Sequence, residues 1–144
     1  MIEIAVLTRE NIDSAIKLWT RTEGLTLREA DSPQALARYL ERNPELSQAA
    51  WKDGRLIGAI LAGHDGRRGY IFHLAVAREE RGQGVGTALV ERCLEALRAA
   101  GIDKCHLFVR EENQAGRNFW TKRGWVERRD TFTMSRVLSD SENA

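Results

Sequence analysis

Apolar residues recur along the chain with two periods, and their alternation lays out the fold. Ile2-Glu3-Ile4-Ala5-Val6 alternates and is rich in β-branched side chains, which predicts a first strand. Beyond Thr8, a capping residue, Ile12, Ala15, Ile16 and Trp19 fall on one helical face, and Gly24 stands just past the end. Ser32-Pro33 sets a proline at a first helical position, Leu36, Tyr39 and Leu40 form the stripe that follows, and Asn43-Pro44 stops it. Residues 46–52 and 55–63 flank Asp53-Gly54, a strong hairpin signal. A second turn at Asp65-Gly66, with Arg67-Arg68 as a solvated loop, leads into a strand over 70–77. From Val85 a helix runs to Ala100 with Leu89, Val90, Cys93, Leu94 and Leu97 facing inward, and Gly101 ends it. Residues 104–110 read as a strand, 115–123 as a short helix closed by Gly124, and 125–127 and 132–136 as a final pair of strands. The order β-α-α-β-β-β-α-β-α-β-β predicts an α/β chain, a mixed sheet with helices packed on it.

The length of 144 residues, with 42% hydrophobic and 30% charged positions, suffices for one packed domain over residues 1–138 and excludes a wholly disordered chain. Residues 139–144 read as a frayed tail. The balance of 22 basic against 21 acidic residues argues against a nucleic-acid partner, which would call for a basic surplus. No apolar run reaches the roughly 18 residues of a membrane span, and Met1 leads straight into the first strand with no signal-peptide core. The expected location is therefore cytoplasmic, away from membranes. Cys93 and Cys105 form no CxxC pair and suit a reducing compartment as small core residues. His64, His73 and His106 lack the spacing of zinc ligands, so no metal is expected.

Chemistry concentrates in Arg81-Gly82-Gln83-Gly84-Val85-Gly86-Thr87, which leaves one predicted strand and opens a predicted helix. Glycines at alternate positions let the backbone approach a ligand, and the helix start offers unpaired N–H groups and a positive dipole end. Arg81 adds a formal charge, so a diphosphate-bearing ligand fits. The spacing is not that of a dinucleotide fold, where Thr87 would be a third glycine and the loop would follow the first strand. No Lys-Ser or Lys-Thr follows the glycines, which excludes a Walker A loop.

These residues resemble the R/Q-x-x-G-x-G/A motif of the GNAT superfamily of acetyl-CoA-dependent N-acetyltransferases. The lead-in His73-Leu74-Ala75-Val76 is similar to that family's fourth strand. Asn113-x-x-Gly116-x-x-Phe119-Trp120-x-x-x-Gly124-Trp125 resembles its second motif, with Gly116 where alanine is usual. The resemblance implies the GNAT acyl-CoA N-acyltransferase fold: a central, mostly antiparallel mixed sheet splayed at strands four and five and flanked by about four helices. It implies acetyl-CoA as cosubstrate and an amine as acceptor, and it leaves a homodimer open. It also implies that Leu74, Ala75 and Val76 line the pantetheine arm, with the backbone of Leu74 and Val76 pairing with it. The amides of Gly82, Gly84, Gly86 and Thr87 would hold the pyrophosphate, with Arg81, Gln83 and Val85 in the same loop and Asn113 near the pantetheine.

Trp120 departs from the family, which often has a tyrosine there to protonate the departing thiolate. An indole N–H donates but is no acid near neutrality, whereas a thiol of pKa about 8.5 already leaves tolerably as thiolate. Tyr39 and Tyr70 are the phenols that could substitute. For the base, the candidates are His73, Tyr70, and Glu111 or Glu112 at the end of the fifth strand; histidine is the residue type that changes charge near neutral pH. No cysteine lies in either motif, so direct attack in a ternary complex is expected rather than an acetyl-enzyme. The competing functions are a non-catalytic acyl-CoA sensor, suggested by Trp120, and a protein N-terminal acetyltransferase. Residues 23–31, between the first two helices, are where the resemblance places acceptor selection.

Overall fold

A computed structural model describes all residues, Met1–Ala144. In chain order the elements are β1 (Ile2–Val6), α1 (Ile12–Arg21), α2 (Pro33–Arg42), β2 (Gln48–Lys52), β3 (Arg55–His64), β4 (Gly69–Val76), α3 (Val85–Ala99), β5 (Cys105–His106) and α4 (Gln114–Lys122), with single 3-10 turns ahead of α1, α2 and α3. The strands form one sheet in the order β1-β2-β3-β4-β5. The first four pair antiparallel, β1 with β2 across the segment that holds α1 and α2, and β2, β3 and β4 through short turns. Asp53 and Gly54 between β2 and β3 both take positive φ, 50° and 75°, as a two-residue turn of the primed type requires. β5 runs parallel to β4, a step that needs a crossover, and α3 supplies it.

Each face of the sheet is covered by the stripes read from the sequence. Ile12, Ala15 and Trp19 of α1 and Leu36 and Leu40 of α2 close over Leu61 of β3. Leu89 and Leu97 of α3 press on Gly58 and Gly69 from the other side, where an added Cβ would stand 3.0 Å from a leucine methyl. Burying each such side chain contributes about 1.5–3 kcal/mol. Local capping behaves as expected at α2, where Ser32 Oγ accepts from Ala35 N at 3.2 Å and Pro33 opens the helix. Thr8 does not cap α1 directly; a 3-10 turn, Arg9–Asn11, intervenes, and Thr8 donates to Asn11 Oδ1 instead.

Two departures from the expected elements matter for function. The strand expected over 104–110 shrinks to two residues, because β5 meets β4 only at Gly69↔Cys105 and Tyr70↔His106. The cause lies on β4, where His73 takes φ +56° and the register with β3 slips between Ala59 and Leu61. A bulge of this kind bends and twists its strand, so β4 turns away from β5 beyond Tyr70. The sheet is thus splayed at strands four and five, as the resemblance implied. The final strands expected at 125–127 and 132–136 do not form. Trp125 packs on Trp120 at 5.3 Å, but Val126, Phe132, Met134 and Leu138 are exposed. Alternation alone makes no ladder without a partner edge, and β5 presents only two paired residues. Arg117 and Arg129 hold Glu127 at 2.8 and 2.9 Å instead. At the chain's end, Asn143 O accepts from Glu29 N at 3.1 Å and Asn143 Oδ1 from Arg28 at 3.3 Å. No helix is long and apolar enough to cross a membrane.

Candidate functional site

The loop between β4 and α3 is built on two left-handed glycines. Gly82 and Gly84 both stand at φ +81°, and Gly84 is the N-cap of α3. Side chains other than glycine adopt this region at a cost. A Cβ on either would meet nothing within 4 Å, so the loop backbone lies open. The first amides of the 15-residue α3 have no partner within the helix and carry its positive dipole end. A brace from behind keeps this loop in shape: Glu80, only 5% exposed, takes Lys52 Nζ of β2 at 3.1 Å and Gln83 Nε2 at 3.2 Å. The Lys52 ammonium holds the Glu80 carboxyl below its usual range, with Gln83 adding to the effect. Gln83 therefore faces the brace. Neither Lys52 nor Glu80 carries a motif, and the sequence reading missed both.

The second motif docks on the same loop. Phe119 of α4 would lie 3.6 Å from a Cβ on Gly86, and Arg123 Nε donates to Thr87 Oγ1 at 2.7 Å. The Arg123 guanidinium also sits 3.7 Å over the Phe119 ring. A cation thus stands at the N-terminus of α3, a third residue that sequence reasoning passed over. Asn113 caps α4 by accepting from Gly116 N at 2.9 Å. Gly116 is not a neutral exchange for alanine, since a Cβ there would press to 2.5 Å from Asn113 Nδ2. Trp120 packs edge-on against Phe119 at 4.9 Å and against Trp125.

On the other side of the loop, Arg81 Nε donates to Val76 O at 2.9 Å and its Nη1 meets Glu23 at 2.6 Å. Arg78 reaches the same carboxylate at 3.3 Å. The Arg81 hydrogen bond is the main cause that lowers Glu23 to about 2. These residues line a cleft of about 320 Å³ between the end of α1 and the end of β4. Ala77 N donates to Ile57 O at 2.7 Å, so in the antiparallel ladder the polar groups of Val76 point away from β3 and into the splay. Leu74, Ala75 and Val76 therefore form a strand end that β5 does not cover.

His73 lies on the face that α1 and α2 cover. Its ring packs against Trp19 with centroids 5.3 Å apart, and its Nε2 is 2.8 Å from Asp31 Oδ1. Asp31 Oδ2 also accepts from Arg28 N at 3.0 Å. Burial raises the Asp31 carboxyl, but the His73 hydrogen bond, the Arg28 amide and the imidazole charge outweigh it and hold it below its ordinary value. A carboxylate only accepts, so Nε2 carries the hydrogen and Nδ1 is the acceptor of the neutral ring. Tyr70 stands in an aromatic group on β4 and β5. Glu111 and Glu112 are exposed in the turn before α4; Glu111 lends its main-chain oxygen to Arg117, and Glu112 lies 3.8 Å from Arg110. Tyr39 is removed from the site: its hydroxyl is buried without a partner, beside Gly63 and Asn43, and burial pushes it up.

The sequence pattern of the acetyltransferase (GNAT) family matches residues 12–125. An acetyltransferase of Pectobacterium atrosepticum is 33% identical over 143 residues, 98% of this chain and 99% of that protein. One from Yersinia pseudotuberculosis is 32% identical with the same coverage. Among solved structures, the PaiA N-acetyltransferase of Thermoplasma acidophilum in complex with coenzyme A has a TM-score of 0.75 at 23% identity, over 86% of this chain and 89% of that one. The ribosomal-protein-S18-alanine N-acetyltransferase of Escherichia coli has a TM-score of 0.72 at 22% identity, over 86% and 77%. At those identities the two structures speak for a shared fold.

Proposed function

This chain belongs to the GNAT acetyltransferase family, and on that premise we propose that it carries acetyl from acetyl-CoA to a primary amine of a small molecule or peptide, by direct attack in a ternary complex. The observation that carries the reading is the open, left-handed glycine loop at the start of α3, placed at the end of the uncovered strand β4. Residues 1–138 act as one domain, with 139–144 as its tail, in the cytoplasm and without a metal.

The residues present fit acetyl-CoA. The amides of Gly82, Gly84, Val85, Gly86 and Thr87 would hold the pyrophosphate, on a loop whose left-handed glycines leave its backbone open. Arg81 and Arg123 supply positive charge on either side, while Gln83 keeps the loop shaped through Glu80. Leu74, Ala75 and Val76 line the arm, with the N–H groups of Leu74 and Val76 facing it, and Asn113 and Trp120 close the α4 side. Bound there, acetyl-CoA supplies an acyl group activated as a thioester. His73 accepts the amine's proton at Nδ1, and Asp31 holds the ring by Nε2 and stabilises the imidazolium that results. Tyr70 shares the His73 side of the sheet and is the phenol left to serve as acid; Glu111 is the more remote candidate base. Without an acid at Trp120, sulfur departs as thiolate, which its pKa of about 8.5 permits.

Isothermal titration with acetyl-CoA, followed by CoA release across amines, polyamines, amino acids and peptides, tests this. Binding with turnover on a primary amine is the expected result, and a preference for peptides would make it a protein N-terminal acetyltransferase. Tight binding without turnover on the whole panel would replace the reading with a sensor, and absent binding would remove it.

A further inference from the structure

Three carbocyclic rings lie side by side where the sheet opens. Tyr70 and Phe72 project from β4, and Phe108 follows β5. Their centroids are 6.3 Å (Tyr70–Phe72), 6.5 Å (Tyr70–Phe108) and 6.3 Å (Phe72–Phe108) apart, and their planes are within 10°, 12° and 21° of parallel. His106 borders them, its ring 5.7 Å from Tyr70. Backbone pairing of the two strands stops at Tyr70 and His106, yet the ring contact continues one step further. Rings at this separation and tilt are aligned and offset from one another, an aromatic wall with its outer member open to solvent. Phe108 remains 62% exposed, and Tyr70 and Phe72 are half-buried.

The bulge places this wall beside the candidate base. Leu61 pairs with Phe72 and Ala59 with Ala75; Leu61 and Ala59 share a face, so Phe72 and Ala75 share it too although three residues apart. The extra residue brings consecutive side chains to one side, and the contact of His73 with Trp19 of α1 sets both Phe72 and His73 on the α1/α2 face. The wall therefore continues into the His73 imidazole, with the Asp31 carboxylate behind it at 2.8 Å. The charge of that carboxylate complements an ammonium and opposes a second carboxylate.

We propose that this face is the acceptor subsite and takes a cationic primary amine bearing a flat aryl group and no carboxylate next to the amine. The aryl ring lies on Tyr70, Phe72 and Phe108, and the nitrogen reaches His73 Nδ1. The inference rests on the acetyltransferase reading, since it assigns the acceptor of that reaction. In the transfer itself the bound ammonium first gives one proton to His73 Nδ1, which passes it to solvent. The neutral nitrogen then bonds to the acetyl carbon, the carbon–sulfur bond breaks with sulfur keeping the pair, and the second N–H proton goes to Nδ1.

The probes are 2-phenylethylamine, 2-cyclohexylethylamine of similar size without a flat ring, and phenylalanine, which adds the carboxylate. The measurements are kcat/KM by CoA release and amine binding by NMR in the presence of CoA. The expected order is phenylethylamine first, with cyclohexylethylamine lower by about three- to tenfold, the range of an aromatic pair, and phenylalanine lower because its carboxylate is repelled by that of Asp31. Phe108→Ala, at an exposed site, should collapse the ratio of phenylethylamine to cyclohexylethylamine toward one, and Phe108→Tyr should restore it. No preference for phenylethylamine in the wild type, or a ratio unmoved by Phe108→Ala, overturns the proposal. If no amine is turned over, the acetyltransferase reading fails by itself. The NMR ratio then decides the aryl subsite separately: preferential binding lost in Phe108→Ala keeps it, and equal binding ends it.

Discussion

Adding one methyl at Gly84 or at Gly86 should move stability in opposite directions, and only the first change should weaken the cofactor. Gly84 stands at φ +81° with open space around its Cβ position, so Gly84→Ala meets no clash and costs only its conformation, about 1–2 kcal/mol. Gly86 lies inside α3, and its Cβ would make an ordinary 3.6 Å contact with Phe119. Gly86→Ala therefore exchanges the poorest ordinary helix former for the best, worth up to about 1 kcal/mol of added stability. For a domain of this size each kcal/mol moves Tm by roughly 2–4 °C. Calorimetry without ligand should find Gly84→Ala lower by a few degrees and Gly86→Ala higher. The methyl at 86 points to Phe119 and Val76, whereas Gly84→Ala strains the left-handed turn that presents the amides assigned to the pyrophosphate. Titration of acetyl-CoA should then give Gly84→Ala at least tenfold weaker affinity, about 1.4 kcal/mol, and Gly86→Ala an affinity near that of the wild type. A Gly84→Ala protein that binds acetyl-CoA like the wild type would refute the placement of the pyrophosphate on this loop. A Gly84→Ala protein with unchanged Tm would refute the left-handed cap.

Arg123→Ala removes the cation held over Thr87 and should weaken acetyl-CoA about tenfold with little change in Tm, as titration and calorimetry will read. Asp31→Asn tests linkage: a carboxyl held below its unfolded value contributes stability above about pH 4 and loses it as pH falls through the folded value. Its deficit in urea midpoint should therefore be full near neutral pH and close as pH falls below about 4; a deficit constant across that range would show that ionisation of Asp31 adds nothing to stability. Burial pushes the Cys105 thiol up to about 11 and that of Cys93 up as well. Alkylation of the native protein near neutral pH should run at least ~10²-fold slower than in urea, as mass spectrometry after timed iodoacetamide exposure will show.

Features that depend on a few consecutive residues were determined by the sequence itself. The Asp53-Gly54 turn, the Ser32 cap ahead of Pro33, the apolar stripes of α1, α2 and α3, and the glycine loop before Val85 each follow from local dihedral preference, capping or helical spacing. Their free energy comes from neighbours along the chain, so the pattern suffices to read them. Tertiary structure decided whatever depends on distant partners. Asp31 meets His73 across 42 positions, Lys52 meets Glu80 across 28, and Arg123 meets Thr87 across 36. None of these pairs leaves a periodic trace. The left-handed His73 is the sharpest case, because a histidine within an apolar strand pattern gives no sign of a bulge, yet that one dihedral opens the sheet. The expected strands at 125–127 and 132–136 failed for the converse reason: alternation states which side chains a strand could bury, but a ladder forms only where another strand offers its free edge.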